Sequence, residues 1–297
     1  MSTSSSRRDD AAGFLSYHDI LEREMVDALR EIDRPQSAVF VSGLAAGLNV
    51  SFGALFIGMV LSFSGGFESA LVQQVALAGA STIGFLFVIL GQTELFTAHT
   101  TMAILPVLDG RASLGEMGQL WTTVYVANLL GCGGFALLIA TLGPSLQIVD
   151  PSAYGALAAN LLPFSGPTIM FSGVVAGWLM GLVTWLVAAT EDTVSRFFIV
   201  VFVTGGIGFA PFHHALLGTT EVLTAALLGQ GVTVGGFLRF LAWTTVGNIV
   251  GGSVFVGLLN YGHVALTDRS EYDLSDSDDA TEGEEADHGE PSGTTGD

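Results

Sequence analysis

The sequence contains no lysine: all nine of its basic residues are arginine. It has one cysteine, eight prolines and only 12% charged residues across 297 positions. A soluble domain carries about 25% charged residues, so this chain has too little charge to coat a surface in water, which excludes an ordinary soluble enzyme. The single Cys132 excludes a disulfide framework and a four-cysteine metal site. With no cluster of basic residues there is no footprint for phosphates, and no nucleic-acid partner is expected. There is no His-Glu-x-x-His pair and no Gly-x-Ser-x-Gly elbow. No enzymatic activity, cofactor or resident metal is therefore expected. The opening MSTSSSRRDD lacks the basic, apolar, small-residue order of a secretory leader, so none is expected.

What the chain does have is apolar bulk. Half of it is hydrophobic, with 20 Phe and 39 Gly. Glycine inside apolar runs fits close helix packing in lipid. The net charge of −19 is concentrated at the ends. Residues 267–297 hold twelve acids against one arginine, and residues 1–36 hold eight acids against five arginines. Three segments are expected: an N-terminal segment with an amphipathic helix (1–36), a membrane domain (37–266), and an acidic tail without apolar periodicity (267–297). Acidic ends without lysine suggest a high-salt cytoplasm.

The first helix is expected from Ser16 to about Asp33, with Ser16 and Asp19 at capping-box spacing and Arg34-Pro35 ending it. Six spans of about 20 apolar residues follow, near 38–63, 69–106, 117–142, 168–190, 197–218 and 235–260. The second is too long for one crossing and contains Gly91-Gln92-Thr93-Glu94; the fifth is interrupted by Gly-Gly-Ile-Gly at 205–208 and Pro211-Phe212-His213-His214. Polar groups in mid-span predict broken helices lining a cavity. Eight of the nine arginines fall on one side of a six-span topology, which the positive-inside rule makes cytoplasmic, with both termini inside the cell membrane. Val126-Ala127-Asn128-Leu129-Leu130-Gly131 in span 3 repeats as Val246-Gly247-Asn248-Ile249-Val250-Gly251 in span 6. Three spans followed by three spans give halves of opposite topology, the architecture of transporters and channels. The expected fold class is thus all-α and integral to the membrane, an aquaporin-like protomer of two inverted three-helix repeats with helices 2 and 5 broken.

Ionisable groups in mid-membrane are candidate functional residues by default. They fall in two clusters, Glu94-Leu95-Phe96-Thr97 with His99, and Phe212-His213-His214. At these residues the chain resembles the formate/nitrite transporter family. Glu94-Leu95-Phe96-Thr97 matches its acid-Leu-Phe-Thr motif, and Phe212-His213-His214 its Phe-Glu-His motif. Gly247-Asn248-Ile249-Val250-Gly251-Gly252 matches its helix 6 signature, and Leu108-Asp109-Gly110-Arg111 its loop between helices 2 and 3. The match covers about residues 37–262 in order. The resemblance implies a homopentamer in the lipid bilayer whose protomers each pass small monovalent weak-acid anions through a hydrophobic pore with one central histidine. It makes His214 that histidine and Thr97 its partner, with Leu95, Phe96, Phe212, Phe85 and Ile207 along the path. Glu94, His213, Asn128, Asn248 and His99 are expected in support, Glu94 by satisfying loop backbone and His213 behind the pore or at a protomer interface.

The chemistry is consistent with that carry-over. An unpaired anion is heavily penalised in an apolar constriction, and imidazole is the side chain best placed to exchange a proton near neutral pH. Two mechanisms stay open: His214 gives a proton to the anion, or an imidazolium holds the anion electrostatically. The chain departs from the family in three places. His213 stands where members have glutamate, the stretch 159–167 lacks an outer lysine, and Ala176-Gly177-Trp178 replaces an asparagine in helix 4. Two other readings are a pore for neutral solutes, although no paired Asn-Pro-Ala motif is present, and a metal-ion transporter using His99, His213, His214 and Glu94.

Overall fold

The computed structural model describes residues 15–267; residues 1–14 and nearly all of the acidic tail lie outside that range. Among the described residues the chain is entirely helical, without strands. Its helices are α1 (Tyr17–Asp33), α2 (Gln36–Ser62), α3 (Ala70–Leu90), α4 (Phe96–Met102), α5 (Ile104–Leu108), α6 (Leu114–Ser145), α7 (Pro151–Leu161), α8 (Gly166–Ala188), α9 (Thr193–Phe209), α10 (Ala215–Leu227) and α11 (Val234–Gly252). After α11 the chain continues helically through a π stretch at Ser253–Leu258. Five of these helices, counting α11 with its extension to Thr267, are long and apolar enough to cross a membrane.

The six expected spans are all present. The second is α3 plus the pair α4 and α5, separated by a break at 91–95, and the fifth is α9 plus α10, separated at 210–214. α10 runs on to Leu227, nine residues beyond the expected end of that span. α7 has no counterpart in the six-span reading, although Asp150 at its N-cap and Pro151 in its first turn are sequence signals for a helix start.

The two halves, α2–α6 and α8–α11, pack alike. α2 lies against α3 and α6, and α8 against α9 and α11. Lipid tails are as apolar as leucine, so helix association in a bilayer depends on close packing. Glycines supply it here. A Cβ at Gly47 would overlap the Asn128 carbonyl of α6, and one at Gly177 would overlap the Asn248 carbonyl of α11. The half-helices cross over: α4 packs on α8 and α11, and α10 on α2 and α6. Each half therefore completes the other's core. Tyr125 and Thr245, 120 positions apart, hydrogen-bond at 2.6 Å where the repeats meet.

α1 lies across one end of the bundle. Ser16 accepts from the Asp19 N–H at 3.1 Å while the Asp19 carboxylate accepts from the Ser16 N–H, forming the capping box. Ile20, Leu21 and Met25 pack against Leu105, Trp185, Val256 and Val264. This contact places both ends of the described chain at the same end of the bundle, hereafter the α1 face. Five of the six described arginines are also there: Arg23, Arg30, Arg34, Arg111 and Arg196. Arg239 is at the other end, donating to the carbonyls of Leu162 and Phe164.

Glu24 is buried under α1 with one carboxylate oxygen unpartnered. Burial, with Asp27 nearby, pushes its carboxyl up from the ordinary 4.5 to about 8. When α1 is undocked the group loses its proton at lower pH than when α1 is docked, so docking weakens as pH rises from about 4.5 to 8. Amide hydrogen exchange in α1, corrected for intrinsic rates, is expected to accelerate across that window, and Glu24→Gln to reduce the acceleration, the raised Glu31 carboxyl contributing the remainder with the same sign.

Candidate functional site: two helix breaks clasped at mid-membrane

Each helix break frees backbone groups that a bilayer cannot satisfy. Two asparagines satisfy them in the same way. Asn128 of α6 accepts from the Phe96 N–H at 2.8 Å and donates to the carbonyls of Gly43 and Glu94 at 2.7 and 2.9 Å. Asn248 of α11 accepts from the Ala215 N–H at 2.9 Å and donates to the carbonyls of Gly173 and His213 at 2.8 and 3.0 Å. Both asparagines are fully buried. Each thus ties the last residues of a break and the first turn of a half-helix to a long helix of its own repeat.

The clasps bring the two sequence clusters together. Thr97 Oγ1 lies 3.0 Å from His214 Nε2, both buried. His214 caps α10: its Nδ1 accepts the Leu217 N–H at 3.2 Å. That bond leaves the ring proton on Nε2, which donates to Thr97 Oγ1. The Thr97 hydroxyl hydrogen then has no acceptor among the described residues. The edge of one ring meets the face of the other where Phe85 contacts His214, centroids 5.0 Å apart. Phe85, Leu95 and Ile207 are all buried in one apolar cluster.

A cavity approaches this point from each end. On the far face, about 90 Å³ is lined by Ile207, Phe212, His214, Leu157 and Glu221 among others. On the α1 face, about 700 Å³ is lined by Leu95, Val88, Glu94, His99, Arg30, Arg34 and Arg196 among others. Phe96, expected on the path, lines neither cavity; its ring packs against Trp121 and Tyr125 of α6, at 6.0 and 4.7 Å.

The supporting residues serve the breaks in different ways. The Glu94 carboxylate does not bond to loop backbone: it accepts from Arg34 Nη1 at 2.7 Å and pairs with His99 Nε2 at 2.6 Å. The Glu94 N–H instead donates to Ser42 Oγ. Arg34 also pairs with Glu31 at the end of α1, so α1 is anchored to the first break. Burial and the neighbouring Glu94 push the Glu31 carboxyl up. His213 lines neither cavity and is bonded inside the protomer. Its Nε2–H donates to the Leu161 carbonyl at 2.9 Å and its Nδ1 accepts from the Ser172 hydroxyl at 2.8 Å. Ser253, at the start of the π stretch, donates to the Thr100 carbonyl at 2.6 Å and holds α4 from behind. Glu221, absent from the expected site, lies 7% exposed on the far-face cavity. Its sequence signal was a carboxyl in an apolar run, but it fell beyond the expected end of the fifth span.

Broken half-helices of inverted repeats, meeting between two opposed cavities, define a membrane channel or transporter fold. Residues 18–262 match the sequence model of the family described as Formate/nitrite transporter, and the chain belongs to that family. Its members are transporters and channels, not enzymes. The chain is 28% identical over 236 residues to the Nitrite transporter NirC of Salmonella typhimurium, covering 78% of this chain and 84% of NirC. A solved structure described as an FNT family ion channel superposes with a TM-score of 0.75 at 25% identity, covering 83% of this chain and 99% of that one. A pentameric formate channel with formate bound shares the fold at a TM-score of 0.68 and 20% identity, covering 78% and 98%.

A buried asparagine that loses its amide leaves backbone groups unsatisfied at about 1–3 kcal/mol each. Asn128→Leu and Asn248→Leu are each expected to lower the melting temperature of the detergent-solubilised protein by several degrees and to abolish flux.

Proposed function

We propose that the chain forms a channel for small monovalent weak-acid anions, formate and nitrite being the first candidates, and that His214 and Thr97 are its central binding site. The observation that carries this reading is the 3.0 Å Thr97–His214 hydrogen bond, made where the two helix breaks meet between opposed cavities. With His214 donating into Thr97, the threonine hydroxyl is free to donate to an anion oxygen. Phe85, Leu95 and Ile207 supply the apolar constriction, Phe212 the wall of the far-face cavity. The α1-face cavity is lined by Arg30, Arg34 and Arg196 together with Glu24, Asp27, Glu31 and Glu94, and ion pairs join Arg30 to Asp27 and Arg34 to Glu31 and Glu94, so Arg196 is the cation there that an anion meets without a carboxylate partner among the described residues.

The tautomer bears on the two open mechanisms. A neutral ring protonated only on Nε2 cannot give that proton to an anion without becoming an imidazolate. To act as an acid, His214 must first take a proton on Nδ1, which breaks its bond to the Leu217 N–H. In the arrangement described, His214 works as a hydrogen-bond donor.

We place the α1 face in the cytoplasm of the cell membrane, on the arginine asymmetry. We also infer a homopentamer, by likeness to the pentameric formate channel; apolar residues exposed on the helix exteriors, such as Val41, Leu71, Phe171 and Phe202, suit lipid or neighbouring protomers. A metal-ion reading has less support, because both ring nitrogens of His213 and of His214 are engaged by protein groups.

Hydrogen bonds to charged groups contribute about 1.5–3 kcal/mol, and 1.4 kcal/mol is a factor of ten. His214→Ala is therefore expected to reduce formate or nitrite flux into proteoliposomes at least ~10-fold, assayed at high salt across pH 5 to 8. Unchanged flux in the variant, or flux of neutral solutes but not of anions in the wild type, overturns the reading.

A further inference from the structure

The far-face cavity holds a second ionisable group that the His214–Thr97 pair does not use. Glu221 shares that cavity with His214 and Phe212. Positions 214, 218 and 221 follow i, i+4, i+7 spacing and lie on one face of α10, with Glu221 roughly 10 Å further along the axis. Its side chain is buried, and it makes no hydrogen bond and no ion pair among the described residues.

Among the described residues nothing around it supplies a counter-charge. α2 has no titratable side chain. From α7, Tyr154 directs its hydroxyl to the Ala54 carbonyl. From α6, the Cys132 thiol contacts the Gly47 carbonyl. From α11, Arg239 is held by the carbonyls of Leu162 and Phe164. His213 is bound to Ser172 and Leu161, and His214, on the same helix, to Leu217 and Thr97. A fixed, unpaired carboxylate in such surroundings is heavily penalised, and it would repel the anions the cavity admits. A carboxyl that takes up and releases a proton meets neither objection.

We propose that Glu221 is the proton donor of the pathway: its carboxylic acid protonates the anion in the far-face cavity, and the neutral acid crosses the constriction. The Glu221 O–H bond breaks as the O–H bond of the acid forms. The carboxylate left behind repels the next anion until it recovers a proton from hydronium at the far face, so one proton accompanies each anion. This inference rests on the anion-channel reading and deepens it by assigning the acid to Glu221, leaving His214 as a hydrogen-bond donor.

The test uses the full-length protein in proteoliposomes containing a pH-sensitive dye, with a formate gradient at pH 5 to 8. Wild type is expected to take up formate and protons one for one. Glu221→Gln is expected to reduce both at least ~10-fold at pH 7 and to flatten the pH profile, with Glu221→Asp restoring part of the flux; gel filtration checks that the variants assemble. Infrared difference spectra supply a measurement independent of flux: wild type should show a carboxylic-acid C=O band that shifts in Glu221→Asp. Unaltered stoichiometry and pH profile in Glu221→Gln overturn the proposal. So does the absence of that band in wild type at every pH tested, which decides the matter if Glu221→Gln fails to assemble. If wild type passes neither formate nor nitrite, the anion reading fails, while a titrating Glu221 band would still identify a proton carrier.

Discussion

Two helices in this fold stop in mid-membrane, and each leaves amides and carbonyls that lipid cannot satisfy. The structure depends on how those groups are held. Asn128 and Asn248 answer the same problem with the same three bonds, one accepted from the first turn of a half-helix and two donated to carbonyls. An asparagine suits the task because one amide both accepts and donates without carrying charge. Glycine has a complementary role: at Gly47 and Gly177 the absence of a side chain lets the long helices approach closely enough for the amides to reach.

The clasps fix the ends of the breaks, and what lies at those ends is the chemistry. One break delivers Thr97, the other His214, and the crossed packing of the half-helices brings the two within a hydrogen bond. The two breaks are anchored differently on their outer sides. The first is tied by Glu94 to His99 and to Arg34, the C-cap of α1, so its surroundings are ionic and face a cavity lined by both arginines and carboxylates. The second is tied by His213 to a serine and a carbonyl without any charge. The inverted repeat thus flanks its breaks asymmetrically, with ion pairs on the α1-face cavity and an isolated carboxyl, Glu221, on the far-face cavity.

Much of this was legible in the sequence. Apolar length gave the spans, polar residues inside spans 2 and 5 marked the breaks, and the paired Asn-centred motifs marked the repeat. The resemblance singled out His214 and Thr97 as partners. What was not legible followed from contacts without a sequence period. Arg34 meets Glu94 across 60 positions, and no spacing rule links them. Phe96 turns to Trp121 and Tyr125 although nearly every residue of its seven-residue half-helix is buried, so burial pattern alone does not mark which side faces α6. Glu221 lies outside the expected fifth span for a simpler reason: the span's expected end is at 218, whereas α10 continues to Leu227. The helix α7 carried its own start signal at Asp150-Pro151 but is too short to register as a span.

The central claim is that the Thr97 hydroxyl, oriented by His214, presents a hydrogen-bond donor to an oxygen of the passing substrate, whether anion or acid. The most direct measurement compares formate and nitrite flux through Thr97→Ser and Thr97→Val in proteoliposomes. Serine keeps the hydroxyl, while valine keeps the shape and removes it. The account predicts that Thr97→Ser conducts near the wild-type rate and that Thr97→Val loses most of the flux. Wild-type flux through a properly assembled Thr97→Val protein would contradict it.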